Sequence, residues 1–153
     1  MKLISKVFLY GGDIPSKYTC DGENINPPLV ISEVPEETVS LVLLMDDPDV
    51  PTHLREDGMW DHWVVFNMPP GTSEIAEGRE PEGTPGIGTG GNTSYYGPCP
   101  PDREHRYFFK LYALDQLLDL PEKSDKLAVQ KGMTGHVLDQ AVLMGKYERK
   151  RGR

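Results

Sequence analysis

Residues Val39–Met45 read Val-Ser-Leu-Val-Leu-Leu-Met, an almost unbroken apolar run that ends abruptly at Asp46-Asp47-Pro48. A run this short and this apolar predicts a strand buried in an interior. It is also far too short to cross a bilayer. Three more stretches have strand character. His62–Met68 is stopped by Pro69-Pro70-Gly71, Tyr107–Leu114 is rich in aromatics, and Val30-Ile31 is a short apolar pair. From Ala141 to Tyr147, Ala141, Leu143, Gly145 and Tyr147 alternate with Val142, Met144 and Lys146, which predicts a closing strand. Residues 71–98 are rich in glycine and proline and poor in large aliphatics, so they read as one long loop lying over the rest. Such loops inside compact domains are often functional.

Helix is expected only late. Pro121-Glu122-Lys123-Ser124-Asp125 offers an N-cap and acidic residues for a first turn. Val129, Met133 and Val137 then fall at i, i+4 and i+8, along one helical face. Gly132 and Gly135 each weaken that helix by up to ~1 kcal/mol against alanine, so packing must support it. The expected architecture is mostly β, an antiparallel sandwich in a single domain over residues 1–153, with a helix near the C-terminus.

A net charge of −8 and a pI near 4.9 argue against a nucleic-acid binder, which would carry a basic face. The one basic cluster, Lys146–Arg153, reads as a solvated tail. The start, Met1–Lys6, has charge but lacks the 7–15-residue apolar core of a secretory leader, so the cytoplasm is the expected compartment. The two cysteines, Cys20 and Cys99, read most simply as partly buried thiols. A disulfide between them stays open, because sequence does not say whether they meet.

Two segments carry candidate chemistry. Asp47-Pro48-Asp49-Val50-Pro51 follows the buried strand directly, and its paired carboxylates suit acid–base work, a hard cation or the orientation of donors. Asp-Pro is also an ordinary turn former. The second segment is Tyr96–Tyr107, where Pro98, Pro100 and Pro101 stiffen the approach to His105-Arg106. A stiff loop delivering nitrogen donors at the mouth of a sheet fits an anion pocket, with His62 as a further wall. Asp47, Asp49, His62 and His105 have side chains that zinc accepts, yet no His-x-x-x-His or Cys-x-x-Cys spacing unites them. There is no Gly-x-Ser-x-Gly elbow for a serine hydrolase. Gly86-Ile87-Gly88-Thr89-Gly90-Gly91 lacks the Lys-Ser or Lys-Thr of a phosphate-binding loop and reads as a flexible loop.

Taken together, the blocks resemble the phosphatidylethanolamine-binding protein family, in its short prokaryotic branch. They are Tyr18–Gly22, Pro27-Pro28-Leu29, Asp47–Pro51, His62-Trp63, Tyr95–Pro101, His105-Arg106-Tyr107, Gly135–Leu138 and Gly145-Lys146-Tyr147. The resemblance implies an antiparallel β-sandwich with a few peripheral helices and one anion-binding cavity. It carries ligand contacts over to Asp47, Pro51, Trp60, His62, Gly97, Pro101, His105 and Tyr107, with Asp49 and Arg106 pairing behind them. It implies a non-enzymatic, regulatory binder of small anions, phosphate-bearing head groups or phosphorylated partners, with no cofactor and no metal. Members of the family have also been assigned as kinase-pathway or serine-protease inhibitors. A protein partner met through the 71–98 loop is therefore the alternative, and metal-assisted hydrolysis by Asp47 with two histidines a third reading. Membrane insertion is not expected, and exposed strand edges leave room for a homodimer. If the histidines hold the anion, its affinity rises as pH falls through ~6.5. One departure stands out: the family has glycine two residues before the histidine of Gly-x-His-Arg, and here Arg103 stands there. That predicts either backbone strain or a different loop path.

Overall fold

A computed structural model describes residues 1–150; the last three residues of the basic cluster lie outside the described part. The described residues form eight strands and one α-helix: β1 (Lys2–Ile4), β2 (Leu29–Ser32), β3 (Ser40–Asp47), β4 (Trp60–Met68), β5 (Glu74–Ile75), β6 (Thr84–Pro85), β7 (His105–Leu114), α1 (Lys126–Met133) and β8 (Val137–Tyr147). A short 3-10 turn covers Ser16–Tyr18. The strands form two antiparallel sheets, a small one in the order β1-β2-β5 and a large one in the order β6-β4-β3-β7-β8. The expected mostly-β sandwich with a late helix is the fold of this chain.

The apolar run of β3 explains the layering. Every residue from Ser40 to Asp47 is buried, and alternate side chains serve opposite cores. Leu41, Leu43 and Met45 join a cluster with Leu3, Leu29, Ile31 and Ile75 of the small sheet. Val42 and Leu44 join a second cluster with Val129 and Met133 of α1 and with Leu118. A strand covered on both faces must be apolar throughout. Each such side chain contributes ~1.5–3 kcal/mol of burial.

The same alternation continues into the acids that end the strand. Asp46 points to the helix side, where it pairs with Lys110 at 2.9 Å and Lys126 at 3.3 Å, while Lys126 also reaches Asp61 at 2.6 Å. These ion pairs tie α1 to β3 and β4. Asp47 falls on the other side.

The helix is shorter than its spacing predicts. Asp125 caps it, accepting from Ala128 N at 2.9 Å, and no acidic residue lies in the first turn. Gly135 takes φ +83° just beyond the end, so the chain turns away and Val137 opens β8 instead of extending the helical face. Of the basic cluster, Arg149 is not free in solvent: it pairs with Asp21 at 2.9 Å. Among the described residues no helix is long and apolar enough to cross a membrane.

The 71–98 segment is long, as expected, but it is pinned down. Trp63 Nε1 donates to Glu80 at 2.9 Å, and Asn92 Nδ2 donates to the carbonyl of His62 at 2.7 Å. The glycines allow close approach more than flexibility. A Cβ on Gly86 would sit 2.4 Å from Val64 Cγ1, and one on Gly88 would sit 2.6 Å from the carbonyl oxygen of Asp61. The free-thiol reading is likewise corrected, since Cys20 and Cys99 form a disulfide across 79 residues. Such cross-links persist chiefly in oxidising compartments, so this one pulls against the cytoplasmic expectation. Closing so long a loop restricts the unfolded chain. A Cys20→Ser/Cys99→Ser variant is expected to lose ~2–4 kcal/mol of unfolding free energy, read as a lower urea midpoint. An unchanged midpoint would mean the bond is absent from the purified protein.

Candidate functional site

Two segments meet at one end of the large sheet. The first begins at Asp47, where β3 runs out. Asp47 Oδ1 accepts from the backbone N–H of Asp49 at 2.7 Å, which curls the Asp-Pro-Asp segment into a turn. The second is the approach to β7, the strand hydrogen-bonded beside β3. Asp49 binds Arg106 through both carboxylate oxygens, to Nε at 2.9 Å and NH2 at 2.8 Å, and also accepts from the Arg106 backbone N–H at 2.8 Å. Arg106 thereby holds the Asp49 carboxyl below the usual carboxylate range. Bidentate pairing of this kind fixes orientation as well as proximity. Beside it, the other oxygen of Asp47, Oδ2, sits 2.6 Å from His105 Nδ1, with both groups buried.

A bulge brings in the second histidine. Met45 pairs with Trp63, Asp46 with Asp61 and Asp47 with Trp60, so the register skips His62. Without that extra residue, His62 and Trp63 would lie on opposite faces of β4. With it, Trp63 enters the inter-sheet core while His62 lines the same cavity as Asp47 and Trp60. His62 Nδ1 donates to the carbonyl of Tyr96 at 2.7 Å. Burial pushes the His62 pKa down, so the ring is neutral and its Nε2 carries a lone pair. Of the two histidines expected to face a ligand, His62 thus faces the cavity as an uncharged ring.

Tyr107 stands between the two rings, edge-on to His62 with centroids 5.4 Å apart and stacked on His105 at 6.4 Å. Burial pushes its phenol pKa up. Its hydroxyl lies by the Asp47 carboxylate but completes no hydrogen bond.

Asp47, Trp60, His62, Pro101, His105 and Tyr107, all expected at the site, line a cavity of about 190 Å³. Two other expected residues stand behind it. The Pro51 carbonyl accepts from the N–H groups of Leu54 and Arg55 and shapes the first loop. Gly97 donates to Asn24 Oδ1 at 2.7 Å, and a Cβ there would lie 2.1 Å from the carbonyl oxygen of Tyr18. Its glycine is needed for backbone contact. The sequence reading did not place Val50, Leu54 or Cys99 in the lining. Nor did it foresee that Asp102 Oδ1 sits 2.6 Å from His105 Nε2. His105 is thus held between two carboxylates, an arrangement satisfied when both ring nitrogens donate. An acid three residues before a histidine was visible in the sequence, but nothing there says that it folds back.

Comparisons with known proteins identify the family. The family model described as phosphatidylethanolamine-binding protein matches residues 4–148. The chain belongs to the phosphatidylethanolamine-binding protein family. Its relatives span bacteria and archaea. A "UPF0098 protein" of Chlamydia trachomatis is 48% identical over 149 residues, covering 97% of this chain and 99% of the relative. Another, from Methanothermobacter thermautotrophicus, is 48% identical over 155 residues with the same coverage. Among solved structures, a crystal structure of a phosphatidylethanolamine-binding protein homologue from Chlamydia trachomatis superposes with a TM-score of 0.95 at 48% identity, covering 97% of each chain. Escherichia coli YbcL, called a new member of the mammalian family, superposes with a TM-score of 0.86 at 27% identity, covering 97% of this chain and 98% of its own.

Within this family pattern Arg103 is the departure, and its backbone resolves the alternative posed above. The non-glycine residues at positive φ among the described residues are Asn24, Glu33, Asn67 and Lys123, so Arg103 is not in the left-handed region. Arg103 therefore carries none of the strain that a left-handed backbone would impose. Among the described residues no three His, Cys, Asp or Glu side chains are grouped as metal ligands would be.

The His62 shift has a stability consequence. A folded-state pKa below the unfolded value of ~6.5 stabilises the fold above that pH and loses the contribution as pH falls towards the folded pKa. Wild type is expected to lose up to ~1.4 kcal/mol per pH unit below ~6.5 on this account, and His62→Gln to lack that part of the slope. Parallel urea titrations of the two proteins between pH 7 and 5 check this, and equal slopes would sink the assignment.

Proposed function

We propose that the cavity binds a small ligand through an anionic oxyacid group, a carboxylate or phosphate, without performing chemistry on it, and that this binding is regulatory. The observation that carries the reading is the contact between His105 Nε2 and a carboxylate at 2.6 Å. His105 is fully buried and its Nδ1 is committed to Asp47, so Nε2 is aimed by its partner. Hydrogen bonds from an imidazolium to an oxyanion are charge-assisted and about twice as strong as neutral ones. The Tyr107 hydroxyl adds a donor with no partner of its own.

The walls supply the rest. Trp60, Tyr96, Val50 and Leu54 give the cavity an aromatic and aliphatic lining. At about 190 Å³ the space is smaller than the ~300–1,000 Å³ of pockets that enclose drug-sized molecules. It fits a head group or a small acid, with any longer apolar part leaving over the half-exposed Leu54 and Tyr96. The two loops are locked together before any ligand arrives by Asp49 with Arg106, and the disulfide ties Cys99 to the segment that carries Cys20. A preformed site spends little of its affinity on ordering.

Calorimetric titration of inorganic phosphate, acetate and phosphorylethanolamine into wild type and His105→Gln tests the reading. Saturable binding by wild type, weakened at least tenfold in a variant with native near-UV circular dichroism, is expected. Vesicles containing phosphatidylethanolamine, in a parallel sedimentation arm, separate a head group held in a bilayer from the same group free in solution. Equal affinities in the two proteins, or no binding of any of these acids by wild type, would overturn it.

A further inference from the structure

The outward ring nitrogen of His105 already has a partner. Asp102 Oδ1 lies 2.6 Å from His105 Nε2, the one ring nitrogen that Asp47 leaves open. Asp102 itself is not built into the interior: its side chain keeps 38% of its exposure while His105 keeps none. Burial acts against its charge, yet the hydrogen bonds from His105 and from the Arg103 backbone hold its carboxyl below the ordinary range, so it docks as an anion. Its free oxygen, Oδ2, is 3.6 Å from Arg103 Nε. Arg103 NH2 in turn reaches the carbonyl of Asp49 on the opposite wall at 3.4 Å. The residue that replaces the family glycine therefore lies across the loop that carries Asp102, bridging it to the Asp-Pro-Asp turn.

We propose that Asp102 is a built-in competitor for the anion position, held there by His105 and Arg103, and that a ligand's oxyacid group enters by displacing it. This rests on the reading of the cavity as an oxyacid site. The consequences follow from exchange. A monocarboxylate ligand swaps one carboxylate for another at Nε2 and gains little. A phosphate brings further oxygens, one of which can accept from the unpartnered Tyr107 hydroxyl. Asp102 thus lowers apparent affinity for every oxyacid by the same factor, and the preference for phosphate comes from the Tyr107 contact. A competitor docked nine-tenths of the time lowers apparent affinity about tenfold, since only the open fraction binds.

The test uses inorganic phosphate and acetate against wild type, Asp102→Ala and Asp102→Asn, with thermal melting as the folding control and Asp102→Ser as a replacement if the alanine variant melts early. Asp102→Ala is expected to bind phosphate about tenfold more tightly than wild type. It should gain the same factor for acetate, so that the preference for phosphate is unchanged. Asp102→Asn, which keeps the shape and a hydrogen-bond acceptor without the charge, should fall between. The side-chain 15N resonances of His105 give a readout that needs no ligand: Nε2 should shift on removal of Asp102 while Nδ1 stays put. If wild type binds phosphate and Asp102→Ala binds it no more tightly, the competitor is overturned and the oxyacid site stands. If neither protein binds either acid, the oxyacid site fails and the competitor fails with it. An Nε2 resonance unmoved in Asp102→Ala would overturn the docked carboxylate directly.

Discussion

Strand β3 is covered on both faces, and the position of almost every other element follows from that. One row of its side chains needs the small sheet above it and the other needs α1 below it. With two strands hydrogen-bonded at its flanks, β3 has no free surface left. Its end is consequently where the buried environment meets polar chain. Asp46 and Asp47 are the first polar side chains after the run, and the pleat sends them to opposite sides. Asp46 is neutralised by lysines beneath the sheet, and Asp47 is left facing the cavity. One strand therefore sets both the layers and the site.

A buried carboxylate is tolerated only with partners that match it. Asp47 meets that demand with the Asp49 backbone on one oxygen and His105 on the other. Those contacts align the His105-bearing strand with the Asp-Pro-Asp turn. The Asp49–Arg106 pair is more exposed and so worth less in stability, but its two-point geometry sets the angle between the walls. The disulfide anchors the far wall, because Cys20 lies in the 18–24 segment against which the Gly97 backbone packs. The cavity is preformed by several restraints acting on short segments, each weak alone.

Much of this was legible beforehand. The strands around Val39–Met45, His62–Met68 and Tyr107–Leu114 were visible because buried strands carry their own period and end at proline, glycine or acid. β1, β5 and β6 were not, since two- and three-residue strands have no period to detect and exist only because a neighbour pairs with them. Val137 was assigned to the helical face because i+8 spacing ignores Gly135, whose positive φ breaks the helix first. The apolar lining at Val50 and Leu54 was missed for a related reason. Loop residues have no periodicity, and an apolar side chain in a loop looks the same whether it faces water or a ligand.

The order of the motifs by itself determined the family, the sandwich and the pairing of Asp49 with Arg106, because those depend on residue types at fixed positions along short stretches. Tertiary structure alone decided three things. A one-residue bulge turned His62 into the cavity, a distance of 79 positions closed between Cys20 and Cys99, and Asp102 folded back onto His105. Each depends on which backbone atoms become neighbours after the sheets assemble. Residue types along the chain do not encode that without the folded geometry that joins them.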